Sequence, residues 1–228
     1  MIGVILTGGS SDRMGEPKHL LVMGGQTLLS RAVARMRPVA TRIVVSGGGD
    51  AAGQWETITD AFPSGGPLAG IHAALAATGD TCAVVACDMP FFSPGLLALM
   101  EREMGDALVA VPKVGPYYEP LHAVYRPECE SHIRALFDAF RTDHAGIDHA
   151  GIDDAGSDHP GTRAGNARQA RHPRVADLFS RVRVHVVGED VISRFGDAGT
   201  IFFNINRPRD YEAALKALER MPGLRDSS

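Results

Sequence analysis

The sequence predicts an α/β protein in which mostly parallel strands form one sheet with helices on both faces. Two observations carry that expectation. Short apolar runs rich in β-branched residues alternate along the chain with longer segments of helical periodicity. Pro94, Pro127 and Pro208 stand at the heads of three helical segments, where a first-turn proline is favoured because the missing N–H has no helical partner there.

In chain order, the strand-like runs are IGVIL at 2–6, RIVVS at 42–46, TCAVVAC at 81–87, ALVAVP at 107–112, LHAVY at 121–125, VRVHVV at 182–187 and TIFFNI at 200–205. Helices are expected at 26–37, 68–78, 94–104, 127–141 and 208–220. In sheets of this kind ligands bind outside the carboxyl ends of the strands. From about 142 to 174 the pattern breaks: the segment repeats HAGID, is dense in Gly, Asp and Ala, and has no apolar periodicity. Such a composition buries too little to offset its ordering entropy, so it reads as a flexible insertion in a single domain spanning 1–228. Its His144, His149, His159 and His172 among aspartates offer metal donors without a scaffold to hold them, and a solvated loop is the preferred reading.

Bulk properties exclude several classes. The 23 basic against 27 acidic residues give a formal charge of −4, unlike the basic footprint of a nucleic-acid binder. Cys82, Cys87 and Cys129 are odd in number and contain no C-x-x-C pair, which fits a reducing cytosol and a cytoplasmic protein. The opening MIGVILTGG has neither the basic region of a signal peptide nor the length of a membrane span.

Four stretches carry candidate chemistry. LTGGSSDRMGEPKHLL, residues 6–21, leads from the first strand toward the first helical segment, and it fits neither the P-loop nor the G-x-G-x-x-G pattern. Gly8 and Gly9 would let a ligand approach backbone N–H groups, Arg13 offers a planar fork for phosphate oxygens, and Lys18 offers a mobile charge. A glycine turn with solvated charges has the same composition. In ACDMPFF, Asp88 ends a buried strand at the same sheet edge, where a carboxylate can hold Mg²⁺ or simply cap a turn. Asp60 precedes the tight loop of Gly65, Gly66 and Pro67, whose backbone carbonyls suit the N–H donors of guanine; ordinary loop punctuation is the alternative. In FFNINRPRDY, Asn204 and Asn206 alternate on one side of an expected strand end, so that both amides could face one ligand, although Asn206 is also an acceptable N-cap.

Taken in order, LTGGSSDRMGEPK, GGPLAG, CDMPF, EPLHAVYR and FNINRPRDY resemble the molybdenum cofactor guanylyltransferases, the MobA family of nucleotidyltransferases, over essentially the whole chain apart from the insertion. The resemblance implies a Rossmann-like three-layer sandwich of the GT-A type that takes GTP and Mg²⁺. It also implies transfer of GMP to the phosphate of molybdopterin or Mo-molybdopterin, with acceptor molybdoenzymes or their chaperones as possible partners. By motif position, Leu6, Gly8, Gly9 and Gly66 would line the nucleotide pocket, Asp60 would help bind guanosine, and Arg13 and Lys18 would contact phosphates. Asp88 would be the metal ligand, with Asn204 and Asn206 near the metal or the pterin. LTGG in place of the LAAG usual in cytidylyltransferase relatives favours guanine. Two departures stand out: VVSGGGD where the family usually has an asparagine after the second strand, which puts Ser46 there, and Thr7 where alanine is usual. They leave three rivals: a cytidylyltransferase or other small-metabolite nucleotidyltransferase, a GTP-binding regulator without turnover, and a dinucleotide-dependent oxidoreductase that would lack its glycine fingerprint.

Overall fold

The computed structural model describes residues 1–8, 17–47, 55–143 and 172–221. Gly9, Arg13 and nearly all of the expected insertion lie outside the described residues.

Seven strands lie side by side in one sheet: β1 (Ile2–Leu6), β4 (Arg42–Ser46), β5 (Glu56–Ile58), β6 (Cys82–Ala86), β7 (Val109–Val114), β9 (His122–Tyr125) and β10 (Val184–Val187). Their order is β10-β7-β9-β6-β1-β4-β5, and β8 (Tyr117–Tyr118) pairs with β7 at one end. All seven run the same way except β9, which is antiparallel to both β6 and β7. Six carboxyl ends therefore open on one edge, and β9 brings its amino end to that same edge. Every residue of β1, β6 and β9 is buried, which is why these runs are apolar throughout rather than alternating.

The helices complete three layers. On one face α1 (Leu28–Met36) and α3 (Pro94–Glu103) pack Leu29, Val33, Met36, Leu96, Leu97 and Met100 against Ile5, Val45 and Val85. On the other, α2 (Gly66–Thr78) and α4 (Cys129–Asp143) pack Leu68, Ile71, Leu75, Ile133 and Phe137 against Val4, Val44 and Val84. A smaller cluster joins the hairpin of β2 (Val22–Met23) and β3 (Gln26–Thr27) to α8 (Pro208–Arg220) through Met23, Leu28, Ile205, Ala214 and Leu218. That cluster ties the residues after Lys18 to those after Asn206. Short helices α5 (Val175–Phe179), α6 (Glu189–Ile192) and α7 (Ala198–Ile201) fill the return of the chain.

One expected strand is not a strand. TIFFNI forms the last turn of α7 and an extended coil, because Asp197 caps that helix by accepting the Thr200 N–H at 2.8 Å and Ile201 and Phe202 are buried in the core. Local β propensity yields to the cap and to burial. Pro127 stands two residues ahead of α4 rather than in its first turn, while Pro94 and Pro208 open their helices as expected. Among the described residues no helix is long and apolar enough to cross a membrane.

Candidate functional site

The connection after β1 starts from a fixed base. Leu6 is buried, its side chain in the core shared with Leu68 and Ile71 and its carbonyl accepting the Cys87 N–H at 2.9 Å. Thr7 donates twice to the Ser46 carbonyl, through its N–H at 2.9 Å and its hydroxyl at 3.1 Å. Gly8 is exposed, and a Cβ there would meet none of the described atoms within 4 Å. Packing within the described protein thus places no demand for glycine at this position, and the backbone there is open to approach.

The two departures from the family pattern meet each other here. Thr7 seals onto Ser46, and Gly47, at φ +82°, brings the end of β4 so close that a Cβ would lie 3.1 Å from the Gly8 nitrogen. The Ser46 hydroxyl in turn donates to Asp60 Oδ1 at 2.9 Å, which fixes the carboxylate just past the end of β5. Gly66 has φ +64°, and a Cβ on it would come within 2.6 Å of the His172 ring, so its missing side chain is explained by the turn and by that histidine. Gly70 lets α2 approach Ser46 and Leu6, where a Cβ would lie 2.8 Å from the Ser46 hydroxyl.

At the centre of the edge, Lys18 and Asp88 form a part-buried ion pair at 3.0 Å, and the same ammonium donates to Asn206 Oδ1 at 2.9 Å. Asp88 and Asn206 stand 70 and 188 positions from Lys18 in the chain. The Ile205 N–H donates to the Asp88 carbonyl at 2.9 Å, which aligns the Asn206 segment alongside the end of β6. Asn206 is not the N-cap: that place falls to Arg207, while Asp210 accepts the N–H groups of both Asn206 and Arg207 at 3.0 and 2.8 Å. The Asn206 amide is thereby left for the site. Asn204 turns back, its Nδ2 donating to the Phe202 carbonyl at 3.3 Å, so the two amides are not engaged alike.

A half-buried arginine and a buried histidine brace the turn that follows Asp88, and sequence reasoning assigned neither a role. Arg35 of α1 donates to the carbonyls of Phe91 and Phe92 and stacks over the Phe92 ring at 5.3 Å. Burial, and Arg31 beside it, pull its pKa down to about 10. From the other side His122 of β9, fully buried, accepts the Ser93 N–H at its Nε2 at 3.1 Å, while Ser93 caps α3. Burial holds that imidazole neutral, with its pKa down to about 4. Its signal was present in EPLHAVYR, where a histidine interrupts an apolar run. The Cys87 thiol, beside Asp88, is pushed up by burial and is inert packing.

Among the described residues no three His, Cys, Asp or Glu side chains gather as a metal-binding group. His172 is the one histidine of the 142–174 segment within the described residues, and the other three lie outside them. The arrangement of Lys18 still shows that a cation fits between the Asp88 carboxylate and the Asn206 carbonyl oxygen. Oxygen donors of this kind suit a hard divalent ion, with phosphate oxygens and water completing its shell.

The family model for the MobA-like NTP transferase domain matches residues 3–149, well over half of the chain. The chain belongs to the MobA-like NTP transferase family. A probable molybdenum cofactor guanylyltransferase of Pelotomaculum thermopropionicum is 35% identical over 212 residues, covering 91% of this chain and 88% of the relative. One from Carboxydothermus hydrogenoformans is 26% identical and covers 93% of both chains. The crystal structure of molybdopterin-guanine dinucleotide biosynthesis protein A from Archaeoglobus fulgidus superposes with a TM-score of 0.73 at 23% identity, over 97% of this chain and all of that one. The fold extends to 2-C-methyl-D-erythritol 4-phosphate cytidylyltransferase from Thermus thermophilus, at a TM-score of 0.55. These likenesses agree with the mixed sheet described above. The expected α/β nucleotidyltransferase fold is the observed one, and membership of a transferase family excludes the oxidoreductase reading.

Proposed function

We propose that this protein transfers GMP from GTP to the terminal phosphate of molybdopterin, carried as Mo-molybdopterin, and releases pyrophosphate in the cytoplasm. The observation that carries the reading is the Lys18 ammonium set between Asp88 and Asn206, beside the open backbone of Gly8. In this reading Gly8 and Gly9 present N–H groups to the triphosphate, and Asp60, positioned by Ser46, takes the guanosine. Arg13 and Lys18 hold the β- and γ-phosphates.

The acceptor phosphate is already ionised at neutral pH, so no general base is required. One of its oxygens bonds to the α-phosphorus, the bond to the bridging oxygen breaks, and the electron pair leaves with pyrophosphate. Acceleration then comes from alignment and from cationic charge around the leaving group. Asp88 and Asn206 would hold Mg²⁺, which when bound supplies further neutralisation of the phosphates. Lys18 moves from Asp88 onto phosphate oxygens when the nucleotide arrives. Downstream, acceptor molybdoenzymes or their chaperones would receive the product.

The test supplies purified protein with molybdopterin, Mg²⁺ and either GTP or CTP, and follows pyrophosphate release together with the mass of the pterin product. GTP-dependent formation of the guanine dinucleotide is the expected result. A product formed from CTP instead would replace this reading with a cytidylyltransferase, and nucleotide binding without pyrophosphate release would replace it with a regulator.

A further inference from the structure

Glu119 is a half-buried carboxyl group that the proposed mechanism does not use. Glu119 follows β8 and precedes β9, its N–H donating to the Pro112 carbonyl at 2.9 Å and its carbonyl accepting the His122 N–H at 3.1 Å. Among the described residues its side chain has neither a hydrogen bond nor an ion pair. Burial alone pushes its carboxyl up to about 7. A half-buried carboxyl without donors loses part of its hydration, and at the carboxyl edge of the sheet such a group is a candidate to receive donors from a bound molecule.

Glu119 lies on that edge. Two residues further on, the Leu121 carbonyl accepts the Ala86 N–H at 3.1 Å, so the segment runs directly beside the end of β6 that leads into Asp88. Sheet order then places Asp60, after β5, on one side of Asp88 and Glu119, between β7 and β9, on the other. The adjoining hairpin exposes Tyr117 and Tyr118, 57% and 38% accessible. It is braced, not loose: Glu189 accepts the Gly115 N–H at 2.8 Å, and Tyr118 meets Phe179 edge-on at 5.3 Å. The Tyr118 ring already carries the Lys113 ammonium at 5.2 Å, so Tyr117, two residues before Glu119, is the more open aromatic side chain for a flat heterocycle.

We propose that Glu119 is the residue that recognises the pterin ring of the acceptor. This deepens the proposed function and rests on it for the acceptor's identity. The 2-amino-4-oxopyrimidine part of a pterin carries a ring N–H and an exocyclic NH₂ side by side, and the two oxygens of a carboxylate accept both at once. Guanine carries the same pair, so one site would read the same donor pattern twice: at Asp60 for the nucleotide and at Glu119 for the acceptor.

Two probes isolate the donor pattern: 6-hydroxymethylpterin, and the corresponding lumazine, in which an oxo group replaces the 2-amino group. Binding of each is followed by ligand fluorescence in the wild-type chain, in Glu119→Gln and in Glu119→Asp. The wild type is expected to prefer the pterin by about tenfold or more, as for a lost charge-assisted hydrogen bond pair. Glu119→Gln should lose that preference, Glu119→Asp should keep part of it, and GTP affinity should stay within about twofold in both, which reports an intact fold. In turnover, Glu119→Gln should raise the KM for molybdopterin by about tenfold with kcat and the KM for GTP little changed. A wild type that does not discriminate, or a Glu119→Gln variant that still does, overturns the assignment. Pterin selectivity that depends on Glu119 without GMP transfer would sink the proposed function and sustain this subsite. Transfer with an unchanged molybdopterin KM in Glu119→Gln would do the reverse.

Discussion

The two ends of the ligand edge are built by opposite means. On the β1–β4 side the chain is drawn together by backbone and small residues: Thr7 on the Ser46 carbonyl, Gly47 against Gly8, and Ser46 on Asp60. On the β6–β9 side it is held by large side chains, the half-buried Arg35 and the buried His122, clamping the turn after Asp88. A surface that must approach a polyphosphate closely has to be free of side chains. A carboxylate that must hold its place beside moving charges needs support from behind. Under the proposed function, the first side would admit the nucleotide and the second would keep Asp88 still.

The contrast breaks most visibly at Asp88. Replacing it with alanine should lower GMP transfer by about 10³-fold or more, the scale of losing a principal electrostatic group, while GTP binding persists in isothermal titration. If that variant retains more than about a tenth of the rate, the central role passes elsewhere. Lys18→Ala should lower kcat by about 10²-fold and weaken GTP binding much less, because its phosphate contact strengthens as pyrophosphate departs. A KM effect with normal kcat would return Lys18 to simple binding.

The buried His122 and the half-buried Glu119 give opposite pH signatures in denaturant titrations. His122 sits near 4 in the folded chain against an ordinary 6.5, so its contribution is complete above 6.5 and is lost as pH falls toward 4; the loss is on the order of 3 kcal/mol. In His122→Gln, which can still accept the Ser93 N–H, that acid-side loss should vanish. Glu119 sits near 7 against an ordinary 4.5, so the folded state binds its proton more tightly and stability falls as pH rises from 4.5 through 7. Glu119→Gln should therefore stabilise the free protein at pH 8 by roughly 1–2 kcal/mol, where a merely structural glutamate would destabilise on replacement. Gly47→Ala should cost the least, about 1 kcal/mol or 2–4 °C in Tm, from its positive φ and its contact with Gly8. It should also weaken GTP binding, and an unchanged GTP affinity would separate β4 from the nucleotide side.

Much of this was legible in the sequence because it is local. The apolar runs of β1, β6 and β9, the prolines opening α3 and α8, and the glycines of the first loop each declare themselves within a few residues. Asp88 could be placed at the edge from its position after a buried strand. The TIFFNI segment misled because β propensity is a preference for a half-buried pleated surface, and here Asp197 offered a helix cap instead. His122 and Ser46 stood out in the sequence, but their roles and that of Arg35 were not legible because their partners lie 14 to 57 residues away.

The sequence by itself determined the α/β class, the order of motifs and the identity of the charged groups, since periodicity, turn chemistry and residue type are properties of short stretches. Tertiary structure alone decided that Lys18, Asp88 and Asn206 share one point, that β9 runs against its neighbours, and that the Glu119 side chain has no hydrogen-bond or ion-pair partner among the described residues. Those outcomes depend on which carboxyl ends the sheet places side by side, and on how much water the packed helices exclude from each group.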